Sequence, residues 1–142
     1  MSTLVIDTIQ GKTAAGSVNV RSEGSNNTNL QQGLAKIWGN FHGSISAGTP
    51  NVRDSLNVSS VDDDGNGDFG LHYTTSMGNT NYSVTLGMDD MDVSTAVVGS
   101  DTTYNTRATG SIDIEFFYVT SGINRTNYDY DTGYFTIHGD LA

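Results

Sequence analysis

Residues 111–119 read SIDIEFFYV, a run in which apolar and polar side chains alternate. Its even positions are Ile112, Ile114, Phe116 and Tyr118, whereas its odd positions begin polar and end apolar. Alternation with a period of two is typical of a β-strand that buries one face. This segment therefore predicts a strand that lies against a hydrophobic core.

The same alternation recurs from residue 34 onward. It is found at Leu56–Val58, Phe69–Tyr73, Tyr82–Met88 and Phe135–Ile137, and residues 35–41 are rich in strand formers. Turn-forming residues separate these runs at 62–67, 76–81, 121–124 and 129–133. Roughly seven short strands at such spacing predict an all-β fold, an antiparallel, jelly-roll-like β-sandwich.

The composition supports this fold and excludes several classes of function. The 142 residues include 17 Gly and no Cys, which disfavours long helices and excludes disulfides and thiolate chemistry. The start of the chain lacks the features of a signal peptide and no apolar run is long enough for a membrane span, so we expect synthesis in a cytoplasm and no membrane insertion. The net charge is −10 and the six basic residues are scattered, so we expect no nucleic-acid partner. The acidity indicates either simple solubility or an acidic docking surface.

Residues 1–33 differ from the rest of the chain. Their apolar residues are mainly Leu4, Val5, Ile6 and Ile9, and a small, polar stretch follows, in which Val18 and Val20 favour one short strand. We predict an extended N-terminal attachment arm over residues 1–33 and a β-sandwich domain over residues 34–142.

Three apolar residues are out of phase with the inward-facing positions of their strands. They are Trp38, Phe117 and Val119. A local bulge, or cover by the arm, would explain them. A subunit interface would explain them equally well, because a large apolar patch should not face water. We predict the interface.

Residues 62–68 read DDDGNGD and contain the opening of an EF-hand-type calcium loop. The twelfth position of such a loop should be a bidentate Glu, but Tyr73 stands there. A β-hairpin turn is the alternative, because Asp, Asn and Gly suit tight turns. We predict the turn and no metal site.

No catalytic constellation or cofactor motif is present in the sequence. GKT at 11–13 lacks the earlier glycine of a phosphate-binding loop, and no G-x-S-x-G occurs. The three histidines lack a second ligand at metal spacing, and Glu23 and Glu115 are the only glutamates. We therefore expect neither enzymatic activity nor a cofactor.

Several tyrosines stand among Asn and Asp residues in the C-terminal half. They are Tyr104, Tyr128, Tyr130 and Tyr134. Sugar sites often combine an aromatic face with amide or carboxylate groups. A host surface glycan is therefore an alternative partner, unless these are ordinary strand and loop tyrosines.

An ordered series of motifs resembles a family of virion proteins from marine, chiefly cyanobacterial, tailed phages. The motifs are DTIQGKTAAGSV at 7–18, GLAKIWGNFHG at 33–43, RDSLNVSSV at 53–61, GDF at 67–69, YTTSM at 73–77 and NYSV at 81–84. The resemblance covers residues 3–88, with departures at Gly39 and His42. It implies a structural protein of the virion surface, a tail fibre, a knob or a capsid decoration, without catalytic residues. Other virion proteins of the capsid or tail, and copies of itself in a homotrimer, are the implied partners. The alternative function is a host-glycan receptor-binding module (adhesin).

Overall fold

The computed structural model describes residues 3–11, 18–21, 27–43, 49–89, 97–102, 106–119 and 124–142. The chain divides into two compact units, Met1–Leu34 and Ala35–Ala142. Most of the secondary structure belongs to the second unit.

The first unit contains a small hairpin and one helical turn. Strands β1 (Asn19–Arg21) and β2 (Asn27–Asn29) pair antiparallel, with Val20 opposite Thr28. Helix α1 (Leu30–Gly33) follows directly, and the Leu30 N–H donates to the Val18 carbonyl at 2.9 Å. The strand predicted around Val18 and Val20 is therefore present as β1.

The second unit is built from strands. Its described strands are β3 (Ile37–His42), β4 (Asn51–Leu56), β5 (Val58–Gly65), β6 (Asp68–Tyr73), β7 (Ser83–Asp89), β8 (Val97–Thr102), β9 (Ser111–Val119), β10 (Arg125–Asn127) and β11 (Thr132–His138). These strands form two antiparallel sheets that pack together, which confirms the predicted all-β sandwich.

Sheet I has the strand order β4-β3-β11-β7. Sheet II places β6 between β5 and β9, while β8 and β10 also pair with β9. Because β9 pairs with both β6 and β8 at residues 114 and 115, these two neighbours lie along opposite edges of β9. β9 is thus the central strand of sheet II, as its long apolar alternation suggests.

The core lies between the two sheets. In β9, Ile112, Ile114 and Phe116 are at most 1% exposed, as the alternation predicts. The rings of Phe41 and Phe69 meet edge to face across the sandwich, with centroids 5.1 Å apart. Each sheet thus buries one face and leaves the other outward.

The boundaries of two predicted turns are wrong. The stretch 62–67 is largely strand, because β5 continues to Gly65 and only Asn66–Gly67 form the turn. Gly67 has φ +69°, and a Cβ there would lie 2.3 Å from the Phe116 carbonyl oxygen. The stretch 129–133 overlaps β11, which begins at Thr132. The ends of these strands consist of polar residues that are also common in turns, so the sequence pattern placed the turn boundaries incorrectly.

Candidate functional site

The N-terminal unit carries exposed apolar side chains. Leu4 is 80% exposed and Val5 87%, while Ile6 and Ile9 are 48% and 59% exposed. Apolar side chains are unfavourable in water, and burying them against a partner would lower the free energy. These four residues, predicted as the attachment arm, are therefore available to a partner.

The outer face of sheet I presents aromatic and polar side chains and is called the aromatic face below. Two cross-strand rows define it, and they are Leu56–Trp38–Thr136–Thr85 and Asp54–Asn40–Tyr134–Gly87. Their residues alternate with buried ones such as Ile37 and Phe135. Trp38 is thus on the outer side, as its phase predicts.

The Tyr134 ring lies over Gly87 of the neighbouring strand β7. A Cβ on Gly87 would stand 2.1 Å from this ring, so only glycine leaves room for it. Tyr134 is nevertheless 45% exposed. The residue therefore packs against Gly87 and is still partly open to solvent.

Arg53 organises the polar part of the aromatic face. Its Nη1 donates to Thr132 Oγ1 at 2.8 Å and to Asn40 Oδ1 at 3.3 Å, and its Nη2 donates to the Asp131 carbonyl at 3.2 Å. A planar guanidinium with several fixed acceptors is well oriented. The bond to Asn40 also orients that amide, with Nδ2 directed away from Arg53.

The outer face of sheet II is mainly charged and is called the acidic face below. Its aromatic residue Phe117 is covered by Arg125, whose Cζ lies 4.1 Å from the ring centroid. Arg125 also forms a salt bridge with Glu115. Phe117 and Val119 are half-buried on the same face of β9. The structure therefore supplies an intramolecular cover for Phe117.

The three residues predicted for the subunit interface do not meet in one patch. Phe117 and Val119 lie on the acidic face of sheet II, and Trp38 lies on the aromatic face of sheet I. An interface that used all three would have to engage both sides of the sandwich. The interface stays a prediction.

Carboxylates crowd together on the acidic face near the β5–β6 turn. Burial and the neighbouring carboxylates of Asp64 and Asp113 raise the pKa of Asp68. Burial and Asp64 likewise raise the pKa of Asp113, although His72 opposes this shift. The buried Asp68 Oδ1 has no hydrogen-bond partner. Ionisation of Asp68 and Asp113 beside Asp64 is therefore unfavourable in free energy in the folded protein.

Several other acidic side chains near the turn have local partners. Among the described residues, no group of three or more His, Asp or Glu side chains could hold an ion. His72 Nε2 lies 3.0 Å from Asp62 Oδ2, and Asp63 Oδ1 accepts the Gly65 N–H at 3.1 Å. Residues 62–68 belong to a β-hairpin, and its turn is fixed by the bond from the Gly67 N–H to Asp129 Oδ1 at 2.5 Å.

The four tyrosines predicted for glycan binding have different environments. Tyr104 lies outside the described residues. Tyr130 is 1% exposed and stacks edge to face with Phe116, and Tyr128 is half-buried beside Tyr130. Tyr134 is the one of the three described tyrosines that presents its ring to solvent.

The sequence analysis did not identify the polar residues that share the aromatic face with Tyr134. Asn40, Arg53 and Asp54 reach the same face only because β3 lies between β4 and β11. Strand pairing between distant segments has no local signal, so these residues could not be grouped from the sequence.

The comparisons with known proteins give no relative. No family model, no curated protein and no solved structure matches the chain. Over the described residues, the structure contains no helix of the length and hydrophobicity that a bilayer span requires.

Proposed function

We propose that this protein is a non-enzymatic structural component of a bacteriophage virion surface, either in a tail fibre or knob or as a capsid decoration. The proposal rests on the motif series over residues 3–88 and on one structural observation. That observation is the exposed apolar cluster of the N-terminal unit, Leu4, Val5, Ile6 and Ile9.

The exposed cluster supports an attachment role for physical reasons. Each side chain gains about 25 cal/mol for every Å² that a partner removes from water. The cluster belongs to a compact unit distinct from the sandwich, so a partner could bind it without disturbing the sandwich core. Other virion proteins, and further copies of this chain in a homotrimer, are the partners that the proposal names.

Serine substitutions in the cluster test this role. A variant with Leu4→Ser, Val5→Ser and Ile6→Ser should fold normally but be depleted from purified virions, measured by quantitative mass spectrometry of particles. Val20→Ser is the matched control, because Val20 is 48% exposed in the same unit but outside the cluster. Normal incorporation of the triple variant would overturn the attachment role.

The oligomeric state is tested separately. Light scattering of the purified protein should give a mass about three times 15.1 kDa. A monomer at all concentrations would contradict the homotrimer while leaving attachment through the cluster open to the incorporation experiment.

A further inference from the structure

We propose that the aromatic face of sheet I binds a neutral saccharide, with the rings of Trp38 and Tyr134 as stacking surfaces and Asn40, Arg53 and Asp54 as hydrogen-bonding groups. This site goes beyond the structural role proposed above, and it depends on neither the virion location nor the attachment cluster.

The first support is the presentation of Tyr134. Its ring packs against Gly87 while the residue is still 45% exposed, so part of Tyr134 is open to solvent. An exposed amphipathic ring suits the C–H side of a sugar ring, which is apolar while its edge carries hydroxyls.

The second support is a second aromatic ring on the same face. Trp38 pairs with Thr136 and Tyr134 pairs with Asn40, so the two aromatic residues occupy diagonal positions on neighbouring strands. Diagonal positions are about 7–8 Å apart. Trp38 is half-buried, so an oligosaccharide stacked on Tyr134 would reach only the exposed part of the Trp38 ring.

The third support is the polar surroundings of the rings. Asn40 and Asp54 are opposite each other in one cross-strand row with Tyr134, and Arg53 is fixed by hydrogen bonds to Asn40 and Thr132. Amide, carboxylate and guanidinium groups together offer both donors and acceptors, which is what sugar hydroxyls require. Groups that are already oriented lose little entropy when they bind.

The charge distribution favours a neutral ligand over an anionic one. The chain carries a net charge of −10, and Asp54 lies on the aromatic face with Asp131 at its edge. Anionic sugars would be repelled by this field.

The single tryptophan of the chain provides a direct measurement. Trp38 is the only Trp, so its emission reports on the aromatic face alone. The purified full chain is titrated with neutral hexasaccharides of glucose, mannose and galactose, and with oligogalacturonate as the anionic probe. We expect saturable changes in emission with at least one neutral hexasaccharide, and weaker binding of oligogalacturonate.

Variants of Tyr134 locate the binding. Tyr134→Ala should weaken binding by about tenfold or more, whereas Tyr134→Phe, which keeps the ring, should stay within about threefold of wild type. Val20→Ala is the matched control for a change at a half-exposed apolar residue. Calorimetric titration gives the same affinities without relying on Trp38.

Glycine variants separate the orientation of the ring from its presence. Gly87→Ala should displace the Tyr134 ring and weaken binding, because its Cβ would stand 2.1 Å from the ring. Gly110→Ala, whose Cβ would meet its nearest atom at 3.7 Å, should bind as wild type.

Four results would overturn the proposal. They are no binding of any neutral hexasaccharide, tighter binding of oligogalacturonate, unchanged affinity in Tyr134→Ala, and self-association that Tyr134→Ala abolishes. The last result would assign the face to a second copy of the chain. Folding of each variant is checked by its circular dichroism and urea unfolding, so that loss of binding is not confused with loss of structure.

Discussion

The outer faces of the two sheets both carry outward-pointing aromatic side chains, but these side chains differ in whether a neighbouring residue covers them. On the acidic face, Phe117 is covered by Arg125, which Glu115 holds in place. On the aromatic face, Tyr134 rests on Gly87 with one side open. Alternation along a strand thus determines which side chains point outward, but not whether a neighbour covers them. A covered ring contributes to the monomer, and an open ring is available to a ligand.

Alanine substitutions at the adjacent residues Phe116 and Phe117 of β9 should show the largest difference in stability. Phe116→Ala should lower the free energy of unfolding by about 3–5 kcal/mol, because Phe116 is 1% exposed and stacks against Phe41 and Phe69. Phe117→Ala should cost roughly 1 kcal/mol, chiefly the contact with Arg125. Urea unfolding measures both, and equal losses would place Phe117 in the core.

A charge at Phe117 should affect assembly more than folding. Phe117→Asp puts a carboxylate beside Glu115 on a face predicted to meet another copy of the chain, so light scattering should show smaller particles while far-ultraviolet dichroism stays strand-like. Phe117→Leu is the control, because it keeps an apolar side chain and should assemble. Full assembly of Phe117→Asp would show that Phe117 serves only its contact with Arg125.

The acidic face should become more stable when one of its carboxylates is neutralised. The pKa of Asp68 is raised in the folded state, so the folded protein holds this proton more tightly than the unfolded chain does. Stability is therefore lost as the pH rises through the folded-state pKa, and it is regained at lower pH. Asp68→Asn should raise the melting temperature at pH 7, and this gain should shrink as the pH falls through the raised folded-state pKa of Asp68 and be absent below the ordinary Asp pKa of about 4.

A charge-matched control separates this local effect from the overall charge. Asp63→Asn also removes one negative charge, but Asp63 is exposed. It should change the melting temperature less than Asp68→Asn does. An equal gain in both variants would attribute the effect to the net charge of −10.

Calcium should have the smallest effect of all. We expect Ca²⁺ to change the melting temperature of the wild type and of Asp64→Ala by less than about 1 °C, because a ligand stabilises only a folded state that binds it. A rise of several degrees in the wild type that Asp64→Ala removes would show that the carboxylates near the β5–β6 turn do bind the ion.

The fold class, and which side chains of the main strands point inward, follow from local sequence patterns. The alternation in SIDIEFFYV specifies β9 and its buried residues, and the phase of Trp38 places that residue on the outer side. These features are local, because side-chain direction in a strand repeats every two residues. The same local reasoning failed at Asp62–Gly65, where polar residues continue an edge strand.

What each outward-pointing residue contacts depends on how distant strands pair. Arg125 contacts Phe117 because β10 pairs with the end of β9. Arg53 contacts Thr132 because β4 and β11 both flank β3, so the Arg53 side chain extends across that one strand. Gly87 lies under Tyr134 because β7 and β11 pair in that register. Pairing between distant strands depends on long-range packing rather than on local sequence. For that reason the open ring of Tyr134 and the covered ring of Phe117 could be told apart only in the folded protein.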